Sequence, residues 1–304
     1  MKSQSLNRRL ILGLRLAASG QGADLAEQAG FDFVFLDGVG DDAIGHDPLS
    51  VAAFLMTKTR RIGLAASVST DWAPFNVARA LASFDNLSGG RAGWLPLPST
   101  HPGDQEAARF AEHLDVVLKL FDSWDDDALV FDKAQAIFAD REKVRRIRHA
   151  GAFFTVDGPL NTPRPPQGWP VLFQALNQAT PITDVALVDL DRLASSARVR
   201  APDELTRLIA VAPYDRTLQP ATDFAAELAN LFARGACDGF LLRPADPSAD
   251  LAILVEQVAP RLRAHGLSAH PSEDGDFRKR LGLPRPPNRS WARPADSEGL
   301  GRDR

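Results

Sequence analysis

Residues 74–100, PFNVARALASFDNLSGGRAGWLPLPST, predict a helix, a sharp stop and a strand in immediate succession. Apolar residues recur at helical spacing from Val77 to Leu87. The Gly-Gly pair that starts at Gly89 supplies the positive-φ backbone with which such a helix ends. Residues 91–97 then run apolar and extended. A helix that leads directly into a strand is the repeating step of an α/β protein.

The same alternation of extended apolar runs with helical patterns continues along most of the chain. It is typical of parallel strands joined by helices, and FDFVFLDG is as rich in aromatic and β-branched residues as a strand buried on both faces. Such strands, eight in number, favour a TIM-like (β/α)8 barrel, and an open doubly wound sheet is the alternative. We predict strands at residues 10–16, 31–38, 61–70, 91–97, 170–176, 184–188, 205–212 and 238–244, and further helices at residues 22–29, 48–59, 105–124, 222–233 and 251–265.

Length and composition fit one large α/β domain or two smaller ones, and the barrel interpretation favours one large domain followed by a tail. Residues 1–270 are predicted to form a single βα barrel domain. Within it, residues 128–168 are charged and rich in turns, which predicts an insertion after the fourth strand-helix unit that packs across one end of the barrel. Residues 271–304 are rich in proline and arginine and are expected to wrap or trail on the surface.

Charge and composition argue against several classes of partner. A net charge of −4 and a pI near 5.9 disfavour a nucleic-acid or anionic-membrane binder, since both partners usually demand a basic surface. No window approaches the roughly 18–20 apolar residues of a membrane span. The single cysteine, Cys237, excludes an internal disulfide framework and suits a reducing compartment. We therefore expect a cytoplasmic protein whose partner is a small-molecule substrate.

Familiar catalytic motifs are missing from the sequence. The six histidines form no HExxH pair and no cluster with cysteine, so no metal site is predicted. The sequence also contains no GxSxG elbow, no Walker A loop and no GxGxxG after a strand. The site must therefore be inferred from the predicted fold.

In a βα barrel, function belongs at the C-terminal ends of the strands. Side chains at those ends would line one cavity, although each could instead be an ordinary polar group of a loop. The candidates are Asp37 and Gly38, Ser69 and Thr70, residues 95–99 and 174–177, Pro213 and Tyr214, and Arg243.

Several long segments resemble the bacterial luciferase-like flavin-dependent monooxygenases, in particular the nitrilotriacetate and dibenzothiophene-sulfone monooxygenase branch. The matching segments are FDFVFLDG, ASFDNLSGGRAGW, LFDSWDDDALVFDKAQAIF, HAGAFFTVDGPLNTPRPPQGWPVLFQA, GACDGFLLRP and FRKRLGLPRPPN. The resemblance implies a TIM-like barrel in which residues 128–168 are the characteristic insertion. It also implies an enzyme that uses reduced FMN, supplied by a separate NADH-dependent FMN reductase, and O2 to oxygenate a small organic substrate.

The resemblance also assigns roles to individual residues. Asp37 matches the acidic residue after the second strand, and Ser69 and Thr70 match the hydroxyl pair after the third. Together with Trp94 and Gln174, they are the expected cofactor-binding residues. Asn76 occupies a position where the family carries a histidine, and it is the candidate for a polar catalytic role.

At the positions that should contact flavin, the chain departs from the family pattern. Leu95 replaces an asparagine, and Leu176 replaces a glycine. Gln178 replaces a serine that, in the family, begins a Ser-x-x-Gly-Arg segment, whose backbone and hydroxyl bind the FMN phosphate at a helix N-terminus. The helix expected after Gln178 is predicted to be truncated. A family tyrosine falls on Ala107 or Phe110. Because each charged hydrogen bond contributes roughly 1.5–3 kcal/mol, losing two or three phosphate contacts could weaken FMN binding a hundredfold or more.

Three functions follow from this pattern. The first is a shortened FMN-dependent monooxygenase, which the retained Asp37, Ser69 and Thr70 favour. The second is a non-catalytic barrel that acts as a partner subunit in a homo- or hetero-oligomer, which Leu95 and Gln178 favour. The third is a deazaflavin-dependent oxidoreductase of the same superfamily.

Overall fold

The structure is a computed structural model with side chains. It describes residues 9–17, 19–37, 46–99, 103–195, 201, 203–204, 206–264 and 275–289.

Eight parallel strands close into a barrel, as the alternating pattern predicted. Every strand pairs in parallel with the strands on either side of it, and the first strand pairs with the last. The closed circuit confirms the TIM-like barrel and rules out the open doubly wound sheet. In chain order the barrel strands are β1 (Ile11–Leu16), β2 (Phe33–Leu36), β3 (Gly63–Ser69), β4 (Ala92–Leu97), β9 (Val171–Ala175), β10 (Val185–Asp189), β11 (Arg207–Tyr214) and β12 (Gly239–Pro244).

The helices of the described residues lie outside the barrel, except for a short one at its end. A π-helical segment, Leu254–Val258, follows the seventh helix and leads into the eighth. None of the helices in the described part of the chain is long and apolar enough to cross a bilayer. The helices are α1 (Ala23–Gln28), α2 (Pro48–Leu55), α3 (Pro74–Ser88), α4 (Glu106–Phe121), α5 (Leu190–Ser195), α6 (Ala221–Ala233), α7 (Ala249–Ile253), α8 (Ala259–Ala264) and α9 (Phe277–Arg280).

One strand of the barrel lacks its helix. Strands β1 to β4 are followed by α1 to α4, and β10 to β12 are followed by α5 to α7. After β9, residues 176–184 instead form turns that lead straight into β10. The truncation expected after Gln178 is therefore present, and it leaves a gap in the outer layer of helices.

Helix α3 ends as its sequence predicted. Pro74 occupies its first turn, and Gly89 ends it in the left-handed conformation with φ 69°. Val77 and Phe84 are buried, but Leu87 is 73% exposed. The buried stripe instead reaches Ser88, since the residue four positions beyond Phe84 lies on the same face of the helix.

Small residues make room for aromatic rings inside the barrel. A Cβ on Gly13 would lie 2.2 Å from the ring of Phe33, and one on Gly63 would lie 2.6 Å from Phe277. Phe33 in turn packs on Phe173, with ring centroids 5.3 Å apart. The interior is thus filled by side chains, as in other barrels of eight strands.

The segment that holds α9 belongs to the stretch that the sequence predicted to wrap or trail on the surface, and in the structure this segment packs into the barrel. Phe277 is fully buried and fills the N-terminal end of the barrel beside Gly63 and Gly93. Its neighbour Arg278 is also buried and donates to Asp184 at 2.7 Å. Residues 271–274 and 290–304 of the expected tail lie outside the described residues. A helix of four residues is too short to show a periodic pattern, so its position could not be predicted.

The predicted insertion consists of two small hairpins between α4 and β9. Glu112 on α4 anchors it, because its carboxylate accepts the backbone N–H groups of Phe153 at 3.1 Å and Phe154 at 2.9 Å. The hairpin strands are β5 (Leu129–Asp132) with β6 (Ile137–Ala139), and β7 (His149–Ala150) with β8 (Thr155–Val156).

Asp85 links α3 to two neighbouring segments. Its carboxylate accepts the backbone N–H of Ala92 at 3.0 Å and the side-chain amide of Gln167 at 2.6 Å. Burial is the largest influence and raises the pKa of Asp85 from 3.8 to about 6. The carboxyl group therefore retains its proton more tightly in the folded protein than in the unfolded chain.

Replacing Phe277 should destabilise the barrel strongly. Phe277→Ala leaves a cavity at the N-terminal end of the barrel, so we expect the free energy of unfolding in urea to fall by about 3–5 kcal/mol. Phe54→Ala, at a ring that is largely exposed on α2, is the matched control and should cost less than about 1 kcal/mol. Equal losses for the two variants would contradict the buried position of Phe277.

The raised pKa of Asp85 predicts a defined pH dependence. Between pH 3.8 and 6 the carboxyl group of Asp85 binds more protons in the folded protein than in the unfolded chain. The contribution of this group to the free energy of unfolding is therefore full below this pH range and is lost as the pH rises through it. The loss amounts to about 3 kcal/mol. Asp85→Asn should lack this component, which unfolding curves at several pH values would measure. Parallel pH profiles for the variant and the original protein would contradict the assignment.

Candidate functional site

The C-terminal mouth of the barrel carries an ion pair. Arg15 near the end of β1 and Asp37 directly after β2 lie 2.7 Å apart, and both are partly buried. Leu95, Leu187 and Val211 are apolar side chains that pack on the interior cluster of the barrel and remain partly exposed. Asp37 thus lies at the mouth, where the sequence predicted a site residue. Its partner Arg15 was not among the predicted site residues.

A second polar group lies where β3 and β4 end. Ser69 donates to the carboxylate of Asp71 at 3.2 Å, and Ser99 donates to the same carboxylate at 2.5 Å. Sequence reasoning selected the two serines but missed Asp71. Its position two residues after the end of a strand, beside a hydroxyl pair, is the signal that could have identified it.

Thr70 has a structural role in this group. It is fully buried, and its hydroxyl donates to the backbone carbonyl of Leu97 at 2.9 Å. Its own carbonyl accepts from Arg109 of α4 at 3.1 Å. Thr70 therefore joins β3, β4 and α4, and this hydroxyl is already engaged.

His113 holds the loop after β3 and was not identified from the sequence. Its Nε2 lies 3.0 Å from the carbonyl of Trp72, and its ring packs edge-on against Phe154. Burial lowers the pKa of His113, so a neutral ring that donates from Nε2 fits this contact. Arg109 lies one helical turn earlier on α4, and this i, i+4 spacing is the signal that the sequence offered.

Trp94 and Gln174 do not face the mouth, although both were expected there. Alternate residues of a strand point to opposite faces, and the interior side is taken by Leu95 on β4 and by Phe173 on β9. Trp94 instead lies fully buried among the residues between barrel and helices. Gln174 points outward into the gap in the helical layer. The structure therefore brings Asp37, Ser69 and Thr70 to the C-terminal end of the barrel. It places Trp94 and Gln174 on the outer face of the sheet, away from that group.

The remaining candidates lie at the edge of the mouth or away from it. Asn76 is exposed in the first turn of α3, near Trp72, whose side chain is 44% exposed. Pro213 and Arg243 are exposed at the ends of β11 and β12. Tyr214 is buried on the helix-facing side, with its ring 4.9 Å from Phe224. Gly38 lies outside the described residues.

A groove of about 540 Å³ occupies the gap left by the missing helix. One wall is α4 and the other is the turn segment after β9, with Gln174 at its base. Gln178, where the resemblance places a contact to the flavin phosphate, lines it, as do Ala107 and Phe110, the two positions on which the family tyrosine could fall. A flavin phosphate bound as the resemblance implies would therefore contact the lining of this groove.

Comparison with known protein families gives a clear assignment. The model of the luciferase-like monooxygenases matches residues 10–189, which is more than half of the chain. The chain belongs to the luciferase-like monooxygenase family. The resemblance inferred from the sequence is thereby confirmed.

Two relatives differ in how much of their length this chain spans. Dibenzothiophene-sulfone monooxygenase of Rhodococcus erythropolis is 42% identical over 152 residues, which cover 45% of this chain and 33% of that protein. The other relative is one of the subunits of pristinamycin IIA synthase in Streptomyces pristinaespiralis. It is 37% identical over 267 residues, which cover 87% of this chain and 88% of that protein. The chain thus matches the second relative over nearly its full length and only a third of the first.

A solved structure agrees with this luciferase-like fold. EDTA monooxygenase from Chelativorans sp. BNC1 superposes with a TM-score of 0.76 at 22% identity, over 91% of this chain and 99% of that one. At this identity the comparison concerns the fold alone.

The groove of this luciferase-like chain does not fit a phosphate group. A phosphate group is usually held by cations or by the N-terminus of a helix, and residues 176–184 contain no lysine or arginine and begin no helix. Helix α4 does begin at the groove, but its first residue is Glu106, whose negative charge opposes an anion there. The carboxylates of Glu106 and Asp115 line the groove instead. The cation in its lining, Arg289, lies 3.7 Å from Asp115 and stacks over Trp169 at 4.5 Å. Among the described residues, the segment after β9 thus supplies no cation and no helix N-terminus for the phosphate of FMN.

The described residues also offer no cluster for a metal. No three histidine, cysteine, aspartate or glutamate side chains among them gather closely enough to hold an ion.

The missing phosphate donors predict that this chain does not distinguish FMN from riboflavin. A phosphate clamp would favour FMN by about tenfold or more for each charged hydrogen bond. We expect the chain to bind both flavins only weakly, with dissociation constants well above about 100 μM that differ by less than about threefold in calorimetric titrations.

A matched pair of variants sharpens this comparison. Gln178→Arg adds a cation inside the groove and should raise the preference for FMN. Ala108→Arg adds the same charge on an exposed face of α4 outside the groove and should leave the preference unchanged. A tenfold preference for FMN in the unmodified protein would contradict the absence of a clamp.

Proposed function

We propose that this chain is the shorter subunit of a two-subunit flavin-dependent monooxygenase. A longer luciferase-like chain binds the reduced FMN, and this chain completes the assembly that oxygenates a small organic substrate. The observation that carries the proposal is the groove after β9, where the phosphate donors and their helix are missing. The near full-length match to a relative that is itself named as one subunit of a synthase supports it.

The retained scaffold explains why a chain without phosphate donors would keep this barrel. The interior is fully packed, and its N-terminal end is filled by Phe277. The turn between helix α3 and strand β4 keeps the glycine that ends the helix, in a segment that resembles the family. These features stabilise a barrel, and a subunit needs a stable barrel whether or not it holds a cofactor.

A second function is favoured by the mouth of the barrel. The ion pair of Arg15 with Asp37 and the hydroxyl of Ser69 lie where the resemblance places flavin contacts. In this alternative the chain itself binds reduced FMN supplied by an NADH-dependent reductase and reacts as a single-subunit monooxygenase. Leu95 weighs against it, because its aliphatic side chain offers no hydrogen bond to the flavin ring.

Assembly with longer family members tests the proposal. The chain would be co-expressed with each longer luciferase-like chain of its native organism, and the products would be sized by light scattering. We expect a stable complex with one of them, and monooxygenase activity with reduced FMN that requires both chains.

Anaerobic titration separates the two functions. The chain alone should show no binding of reduced FMN at concentrations near 100 μM, the range in which an ordinary flavin site saturates. Tight binding of reduced FMN by the chain alone, with no complex in any mixture, would establish the single-subunit function instead. The same titration with a reduced deazaflavin examines the third function.

A further inference from the structure

The groove after β9 has the size of a small-molecule site. Its volume of about 540 Å³ lies within the range of roughly 300–1,000 Å³ that is usual for ligand pockets. The groove is therefore large enough to hold a small molecule.

The walls of the groove are mainly apolar. Ala107, Ala111, Leu114 and Leu118 recur along one face of α4, and Ile182 lies across from them. Ala111 and Ile182 are exposed, so part of this surface meets water when the groove is empty. An apolar ligand would remove that surface from water, which is favourable.

Gln174 supplies a directional polar contact at the base of the groove. Its side chain is 1% exposed, and its Oε1 accepts from the hydroxyl of Thr183 at 2.5 Å. Thr183 is itself fixed, since its hydroxyl accepts the backbone N–H of Thr180 at 2.8 Å. The Nε2 of Gln174 has no hydrogen-bond partner among the described residues. A buried N–H without a partner costs free energy, and a ligand oxygen would satisfy it.

The charges around the groove disfavour an anionic ligand. Glu106 and Asp115 contribute carboxylates to its lining, and the guanidinium of Arg289 is engaged with Asp115 and the ring of Trp169. Glu106 accepts the backbone N–H of Ser99 at 3.0 Å. A ligand with a negative charge would meet carboxylates without an available counter-charge.

We propose that this groove binds an uncharged, mainly apolar small molecule whose carbonyl oxygen accepts from Nε2 of Gln174. The site goes beyond the proposed function and does not require a partner subunit. Loss of the phosphate-binding helix has, in this inference, converted one end of a nucleotide site into a site for a neutral ligand.

Nile red, an uncharged dye that carries a carbonyl, is a suitable probe. Fluorescence titration of the full chain should show saturable binding to one site. Ala111→Trp fills the groove from an exposed position, and we expect it to weaken binding at least about tenfold. Ala108→Trp adds the same ring on the same helix outside the groove and should change the affinity less than about twofold. Circular dichroism would verify that both variants fold.

The polar contact and the charge preference have separate tests. Gln174→Met keeps the approximate shape but removes the N–H donor, so the dye should bind about five- to tenfold more weakly. Methyl decanoate should displace the dye at concentrations at least about tenfold lower than decanoate, because only the acid is charged.

Three results would overturn the proposal. They are the absence of saturable dye binding, equal effects of the two tryptophan variants, and equal displacement by ester and acid. Each can occur whether or not the chain pairs with a longer family member, so the two proposals fail independently.

Discussion

A parallel strand that is buried on both faces needs a covering layer outside the barrel, and in this chain that layer has a gap. Seven of the eight barrel strands are followed by a helix, whereas β9 passes through turns into β10. The gap opens a groove along one face of α4, with the buried, outward-pointing side chain of Gln174 at its base. It also removes the helix N-terminus on which the resemblance places the flavin phosphate. The groove follows from this truncation, and so does the weak phosphate binding that we predict for this chain.

The two ends of the expected flavin site have diverged to different degrees. At the mouth, Arg15 pairs with Asp37, and two serines share the carboxylate of Asp71. At the groove, apolar residues and carboxylates stand where phosphate donors would be required. A barrel can keep its packing while it loses one end of a binding site, because the interior contacts do not involve the groove. This separation is consistent with a family scaffold that is retained for assembly.

The barrel and most of its strands could be predicted from the sequence, because the spacing of apolar residues shows which faces of strands and helices are buried. The sequence was not sufficient to decide which way strand residues point. In β4 and β9 nearly every residue is buried, so no polar alternation distinguishes inside from outside. Trp94 and Gln174 were for that reason assigned to the mouth, while both point outward. Phe277 was missed for a different reason, because a helix of one turn leaves no periodic signal.

The number of flavins in the assembled enzyme tests the central claim most directly. The complex of this chain with its longer family member would be titrated anaerobically with reduced FMN, and bound flavin would be counted per pair of chains. If this chain has no phosphate donors, each pair of chains should bind one reduced FMN, held by the longer subunit. Two equivalent flavins per pair would contradict the account, because this chain would then bind the cofactor without the contacts that the groove lacks.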